Sequence, residues 1–400
     1  MVRITLCFDS PILFWMETGS ATEVLIVGGG IVGLCIAHGL RRRGVGAVTI
    51  VERGICGEGS TSRATGGVRT QFSSPVNVQL SLLSLQHFRE WTERYGGDAG
   101  YRPVGYLFLA GTREHLAHLQ SGARVQGASG ARVELLGPDE IAARVPAMEM
   151  AGVLGGSFGP DDGLADPGAA AGSLVSACRR SGVTILERTP VTGLEVHAGR
   201  AAGVRTAAGG MGADLVVLAA GVWSAPLGRD VGLSLPIVPH HRQVYRAGRA
   251  PGLARPSPLV VDLGTGVYFH TDADGLVFGG GDRASEPGWD DRFRPDEAPR
   301  VIELLTRRLP RMAEAPLTGG WAGLREMTPD DTALVGPAPG VEGLYVAAGF
   351  SGHGFMHAPA IGDVVGAQLA GSTAPVDISD LDPARFERGT GAESSPLVTW

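Results

Sequence analysis

The chain contains no lysine. All 34 basic residues are arginine, so its 400 residues include no ammonium side chain. Cysteine is sparse: Cys7, Cys35, Cys56 and Cys178 lie far apart, with no C-x-x-C pair and no Cys/His cluster. That spacing suggests neither a zinc site nor a disulfide scaffold, and it points to the cytoplasm. No apolar run reaches the roughly 20 residues of a membrane-spanning helix. The net charge of −7 argues against a nucleic-acid binder. The opening MVRITLCFDSPILFWMETGS has a short apolar run interrupted by acidic residues, which does not fit a signal peptide. Residues 1–22 read as an N-terminal extension and 388–400 as a C-terminal tail.

What is present is glycine, 62 residues of it, in a chain that is 44% hydrophobic and 19% charged, a balance normal for a globular enzyme. The length exceeds the roughly 250–300 residues at which single cores stop growing, which implies two domains.

The clearest unit is EVLIVGGGIVGLCIAHGLRRRGVGAVTIVER, residues 23–53. Its pattern predicts a buried strand from Glu23 to Val27, a helix from Ile31 to Arg43, and a second strand from Val48 to Val51 that ends at Glu52. Gly28, Gly30 and Gly33 match G-x-G-x-x-G. Gly28 allows the tight turn, Gly30 leaves room for a pyrophosphate, and the helix start attracts its charge. Glu52 is placed to accept hydrogen bonds from a ribose diol. Strand, glycine loop, helix, strand and terminal acid together predict dinucleotide binding.

A long polar loop, GEGSTSRATGGVRTQFSSPVN, covers residues 57–77; loops of that length between packed elements are usually functional. VQLSLLSLQHFREWTERY then reads as an amphipathic helix whose Leu80, Leu83, Leu85, Phe88 and Trp91 face a core. YRPVGYLFLA reads as a strand, HLAHLQSGARVQG and PDEIAARVP as short helical pieces, and 168–180 as a helix. From Val183 the sequence alternates as a set of strands, ending in LVVLAAGVWS. It alternates again in QVYRAG, GVYFHTD and GLVFGG, which fits an antiparallel sheet. A helix is predicted over 297–313. Finally GLYVAAGFSGHGFMHAPAIG, residues 343–362, reads as strand, glycine loop and helix. A helix starting near Phe355 would turn the amides of Gly352, His353 and Gly354 toward an anionic ligand.

Four stretches in this order, STSRATGGVRTQF, LAAGVWS, WAGLREMTPDD and GLYVAAGFSGHGFMHAPAIG, together with VLIVGGGIVG, resemble the FAD-dependent amino acid and amine oxidoreductases typified by D-amino acid oxidase. Within that superfamily the chain is most similar to glycine oxidase and to the beta subunits of sarcosine oxidase and related proline dehydrogenases, over about 23–387. The resemblance implies an α/β fold: a discontinuous Rossmann-like FAD-binding domain (23–93, 160–233 and 331–387) and a substrate domain (94–159 and 234–330) built on a large mixed, mainly antiparallel sheet. Both glycine loops would then serve one cofactor, the first at its pyrophosphate and the last near the flavin ring. Amides of that last loop would stabilise the negative charge that reduction develops on the ring.

The resemblance also implies the site. Cofactor contacts fall on Gly28, Gly30, Ile31, Val32 and Gly33, with Glu52 and Arg53 at the end of the second strand. Ser60, Thr61, Ser62, Arg63, Gly66 and Gly67 belong to the polar loop, and Val191, Ala220, Gly221 and Trp223 to the middle of the chain. Gly323 and Arg325 come from WAGLRE, and Gly349, Gly352, His353, Gly354, Phe355 and Met356 from the last loop. Arg325 is expected to hold a substrate carboxylate, for which a guanidinium fork is suited; the alternative is a salt bridge to Glu326, Asp330 or Asp331. Tyr268 and His270 alternate on one strand and share a face, so they are candidates for the pocket roof or for core positions. Arg69 matches an arginine beside the flavin, and His353 is a further candidate in the last loop. His240, His241 and Arg242 lack a metal-ligand pattern, so no metal is predicted.

Two departures matter. Some members of the superfamily attach FAD covalently through a cysteine where this chain has Gly323, so noncovalent FAD is expected. Sarcosine oxidases use a lysine for reaction with oxygen where this chain has Met356, which favours a dehydrogenase. The expected reaction is hydride transfer from an amino acid or secondary amine carrying a carboxylate (sarcosine, glycine, proline or a relative) to flavin N5, leaving an imine. The electron acceptor is oxygen or another molecule. Two alternatives stand beside it: oxidation of a 2-hydroxy acid with His270 or His353 as base, and a flavin-binding electron-transfer subunit that requires partner chains.

Overall fold

Apolar runs bounded by glycine form a six-stranded sheet, ordered Leu334–Pro337, Leu344–Ala348, Leu215–Leu218, Glu23–Val27, Ala47–Val51 and Thr184–Leu186 in the computed structural model, which describes residues 23–280 and 286–389. The expected extension 1–22, and all of the expected tail except residues 388 and 389, lie outside the described residues. The five strands from Leu344–Ala348 to Thr184–Leu186 run parallel, and Leu334–Pro337 closes the edge antiparallel. Parallel strands covered on both faces need near-continuous apolar sequence. Ile26, Val217 and Val346 are accordingly sealed from solvent.

The helix Ile31–Arg42 packs against this sheet beside Gly354–Leu369. The two helices touch backbone to backbone. A Cβ on Gly39 would stand 2.1 Å from the Gly362 carbonyl oxygen, and one on Gly362 would stand 2.5 Å from that of Cys35. The contact therefore requires glycine on both sides, and it joins the two ends of the chain. Pro75–Arg89 lies alongside, with Ser84 Oγ accepting from the Ala360 amide at 3.1 Å. The amphipathic segment breaks at Glu90, and Trp91–Tyr95 follows as a separate short helix. Its aromatics are core, as expected: the Phe88 and Trp91 rings stack with centroids 5.2 Å apart.

The second sheet has eight strands, ordered Leu317–Met327, Val238–Ala247, Leu276–Gly280, Val267–Thr271, Leu259–Asp262, Tyr106–Ala110, Gly155–Gly159 and Glu134–Leu136. Only Leu259–Asp262 and Tyr106–Ala110 pair parallel; the other pairs are antiparallel. The mixed, mainly antiparallel sheet is thus present. Its rear face buries Tyr245, Phe269 and Phe278 against Val301 and Leu305 of the helix Ala298–Thr306. That helix is shorter than the 297–313 expected, because Pro310 starts a separate 3₁₀ turn, Pro310–Met312. Conversely, Arg113–Ala128 is one 16-residue helix rather than short pieces, started by Thr112, whose Oγ accepts from the His115 amide.

Register decides what the front face carries. Arg325 pairs with His240, Gly323 with Arg242 and Trp321 with Val244. Val244 in turn pairs with Gly279, Gly279 with Tyr268, and Tyr268 with Val261. Leu259 and Val261 stand opposite Tyr106 and Phe108. Paired residues share a face and alternate residues return to it. Arg325, Arg242, Tyr268 and Tyr106 therefore all project to the same side.

Candidate active site

Between that front face and the carboxyl ends of the parallel strands lies a cavity of about 560 Å³, within the size range of cofactor and ligand sites. Gly28, Gly30, Glu52 and Arg53 line one part of it, Gly352, Gly354, Phe355 and Met356 another, and Tyr106, Tyr268, Arg242, Gly323 and Arg325 form the sheet wall. The two glycine loops, more than 300 residues apart, border one space.

The first loop is held by its own carboxylate. Glu52 accepts from the Gly29 amide at 2.7 Å and the Gly54 amide at 2.8 Å. Gly28 has φ +108°, and a Cβ there would stand 2.4 Å from the Ala219 carbonyl oxygen. Thr61 Oγ accepts from the Ile31 amide at 3.0 Å, so the polar loop caps the first helix. The same loop is fastened to the strand that carries Arg325. Ser60 Oγ donates to the Leu324 carbonyl at 3.1 Å, Arg63 to that of Ala322 at 3.2 Å, and Trp321 Nε1 to that of Arg63 at 2.9 Å. A Cβ on Gly323 would stand 2.8 Å from Arg63 Cβ, so a side chain at 323 would require Arg63 to move. At the rim the Arg53 guanidinium lies 3.5 Å over the Trp223 ring, and Trp289 packs on Trp223 with centroids 5.7 Å apart.

Glu326 organises the last loop. Its carboxylate accepts from the Gly349 amide at 2.9 Å and from the Phe350 amide, while its backbone carbonyl accepts from the Ser351 amide at 3.0 Å. Glu326 borders the cavity, and burial of its carboxyl pushes the pKa up to about 7 against those two amide bonds. The helix Gly354–Leu369 begins here. Among the described residues, the amides of Gly352, Gly354, Phe355 and Met356 meet no hydrogen-bond partner. The His353 amide does not join them, contrary to expectation: it donates to the Phe350 carbonyl at 2.8 Å, within the turn itself. Arg325 lies against Gly352, where a Cβ would come 2.9 Å from Nε.

Arg69 enters from the polar loop. Its guanidinium lies 4.4 Å over Phe72 and 5.2 Å over Phe108, and it stands 3.3 Å from His353 Nε2. Its neighbour Thr70 donates to Asp162 from both amide and hydroxyl at 2.8 Å, and Gln71 Nε2 bonds Asp162 at 3.0 Å and the Tyr106 carbonyl at 2.9 Å. Asp162 is fully buried. Burial raises its pKa to about 6, opposed by Gln71, Thr70 and the positive charge of Arg69.

Most of the residues predicted from sequence meet at this cavity: Gly28, Gly30, Ile31, Val32, Glu52, Arg53, Ser60, Thr61, Arg63, Gly66, Gly67, Arg69, Val191, Ala220, Gly221, Trp223, Tyr268, Gly323, Arg325, Gly352, Gly354, Phe355 and Met356. Five are not on its wall. Gly33 is a packing position, where a Cβ would stand 2.1 Å from the Gly28 carbonyl oxygen. Ser62 turns its hydroxyl to the Glu58 and Gly59 carbonyls. Gly349 holds φ +73° beside Thr328. His353 stands behind, edge-on to Phe72. His270 shares the face of Tyr268 but is buried off the wall, its Nε2 without a partner and its pKa lowered to about 4 by burial. Arg325 makes no ion pair within 4 Å among the described residues; Asp330 is bonded to Arg385 instead. Sequence reasoning did not select Tyr106, Arg242 or Glu326, which also border the cavity, or Asp162 behind it.

The donor set suits FAD: a carboxylate at one end, unpaired helix-start amides at the other, and Arg53, Arg63 and Arg229 among the cationic wall residues. Among the described residues, no group of three or more His, Cys, Asp or Glu side chains is placed to hold a metal ion, and no helix is long and apolar enough to cross a membrane.

The model of the FAD dependent oxidoreductase family, DAO, matches residues 23–368. Among solved structures, L-proline dehydrogenase from P. horikoshii is similar with a TM-score of 0.85 and 31% identity, over 93% of this chain and 99% of that one. Glycine oxidase from Geobacillus kaustophilus is similar with a TM-score of 0.80 and 27% identity, over 91% of this chain and 99% of that one. Human mitochondrial dimethylglycine dehydrogenase is 28% identical over 388 residues, which is 92% of this chain and 45% of that protein. The chain thus spans about half the length of that relative.

Proposed function

This chain belongs to the FAD-dependent oxidoreductase family, and from that membership we propose that it oxidises an amino acid or secondary amine carrying a carboxylate, with sarcosine, glycine and proline as the candidate substrates. The observation that carries this reading is the Arg325 guanidinium, which borders the cavity beside the last glycine loop without an ion pair among the described residues. A guanidinium there binds a carboxylate through two parallel hydrogen bonds and stays protonated throughout, so it anchors and does not act as a base.

FAD, when bound, supplies the acceptor for the substrate's hydride. Gly28, Gly30 and the Ile31 helix start would hold its pyrophosphate, Glu52 its ribose, and the amides of Gly352, Gly354, Phe355 and Met356 would face the ring end. These amides favour negative charge arising beside them. Binding is noncovalent in this reading, because Gly323 packs on Arg63 and the described cysteines, Cys35, Cys56 and Cys178, do not border the cavity. The substrate's neutral amine assists departure of hydride from its α-carbon and leaves an imine. The chain's task is then orientation rather than strong base catalysis. His270 is held neutral by burial, and Met356 with the absence of lysine favours an acceptor other than oxygen. The domain division 23–93, 160–233 and 331–387 against 94–159 and 234–330 is part of the same proposal.

The test is an anaerobic screen of the FAD-loaded protein, read by loss of flavin absorbance and followed by admission of oxygen. Bleaching by sarcosine, glycine or proline is expected, with slow recovery in oxygen. Bleaching by 2-hydroxy acids alone would overturn the amine assignment. Activity that appears only with added partner chains would replace the autonomous enzyme with a subunit.

A further inference from the structure

Tyr106 starts a strand in which every residue is buried, yet its phenol has no hydrogen bond to any described residue. The residue is buried but its hydroxyl is not among the fully enclosed polar atoms, so it opens on the cavity that the ring lines and can bond to what enters there. The rest of the residue is fixed. Its carbonyl accepts from Gln71 Nε2 at 2.9 Å, and Gln71 is tied in turn to Asp162 and Ser157. Its ring stacks on Phe108 at 5.2 Å, and the Arg69 guanidinium lies 5.8 Å from the ring centre. The ring edge rests on the polar loop: a Cβ on Gly67 would stand 3.3 Å from Tyr106 Cε2 and 3.9 Å from its hydroxyl oxygen. Backbone and ring are thus held on three sides, and the ring lines the cavity.

Two positive charges act on that hydroxyl. Burial raises the phenol's pKa, and Arg69 and then Arg325 pull it back. It therefore stays protonated at neutral pH and presents a donor to an anion in a space that Arg325 also borders. We propose that Tyr106 is a substrate-contacting residue, donating from its hydroxyl to the same carboxylate that Arg325 holds. This rests on the reading of Arg325 given above. It adds a donor from the opposite part of the sheet, so that the acid group is gripped from two directions and the α-carbon is held in one orientation.

The experiment compares wild type and Tyr106→Phe as FAD-loaded proteins. Affinity for propionate, a carboxylate with no amine to oxidise, is read from perturbation of the bound flavin's absorbance. Steady-state kinetics are measured with whichever of sarcosine, glycine or proline bleaches the flavin. A hydrogen bond to a charged group predicts a 10- to 100-fold weaker propionate Kd and a matching rise in KM, with FAD affinity within about twofold. Since the hydroxyl bonds to no described residue, the melting temperature should not fall. An unchanged propionate Kd in the variant, with wild type binding normally, overturns the Tyr106 assignment and leaves the Arg325 reading standing. A loss of FAD affinity with unchanged propionate binding also overturns it, and assigns Tyr106 to the cofactor. Failure of wild type to bind any carboxylate overturns both.

Discussion

The Arg325 side chain lies across Gly352, so close that a Cβ on Gly352 would stand 2.9 Å from Nε and 3.1 Å from Cζ. The proposed substrate anchor and the last glycine loop therefore pack side by side. Gly352 also holds φ +91°, a conformation that side chains disfavour. Gly352→Ala should displace the guanidinium and strain the loop together. The expected result is a rise in KM of roughly tenfold or more with FAD still bound, since a misplaced anchor loses well over 1.4 kcal/mol. Steady-state kinetics alongside the flavin-to-protein absorbance ratio check it.

Removal of the anchor itself has a sharper signature. Arg325→Ala should raise KM for a carboxylate-bearing amine by about 100-fold or more, while an amine without a carboxylate is affected little. Arg325→Lys keeps the charge and loses the fork, and should recover only part of the loss. Equal effects on both amines would remove Arg325 from carboxylate binding.

Glu326 predicts a pH dependence of stability. Burial raises its folded pKa to about 7, against about 4.3 in an unfolded chain. Between those values the folded state binds a proton that the unfolded state has released, so the group's contribution makes stability fall as pH rises from about 4.3 to about 7, and then level off. Glu326→Gln keeps an oxygen for the Gly349 amide and removes the ionisation. Thermal melts across pH 4–8 should show a flatter profile for the variant than for wild type. Identical profiles would mean that Glu326 does not titrate in this window.

Asp162 is the post behind Arg69. Asp162→Ala would leave the Thr70 amide and Gln71 Nε2 without their buried acceptor, which costs about 2–4 kcal/mol. Urea unfolding measures it. Because Gln71 also fixes the Tyr106 carbonyl, the variant should weaken propionate binding even where it folds. A stable variant with unaltered propionate binding would leave Asp162 without a positioning role.

The nucleotide-binding half was legible because its physics is local. A buried strand, Gly28, Gly30 and Glu52 follow one another within 30 residues, and each does a separate job. Arg325 and Arg69 came from resemblance, and both reach the cavity. Tyr106 could not be seen, because Tyr106–Ala110 is buried at every position and shows no alternation to mark a cavity face. Its role depends on cross-strand register with Leu259, which no local pattern encodes. Glu326 was considered only as an ion-pair partner of Arg325. Adjacent residues on a strand point to opposite faces, so Arg325 borders the sheet wall while Glu326 takes the amides of Gly349 and Phe350. His270 illustrates the converse: it shares the face of Tyr268, but the wall ends before it.

The strand order has a consequence for biosynthesis. Leu215–Leu218 lies between Glu23–Val27 and Leu344–Ala348. A nascent polypeptide leaving the ribosome must wait with that strand's outer side unclaimed while the residues between Leu218 and Leu344 are made. Such an open edge is a template for pairing with another copy. The parallel sheet therefore cannot be completed until Leu344–Ala348 has been made and laid beside it.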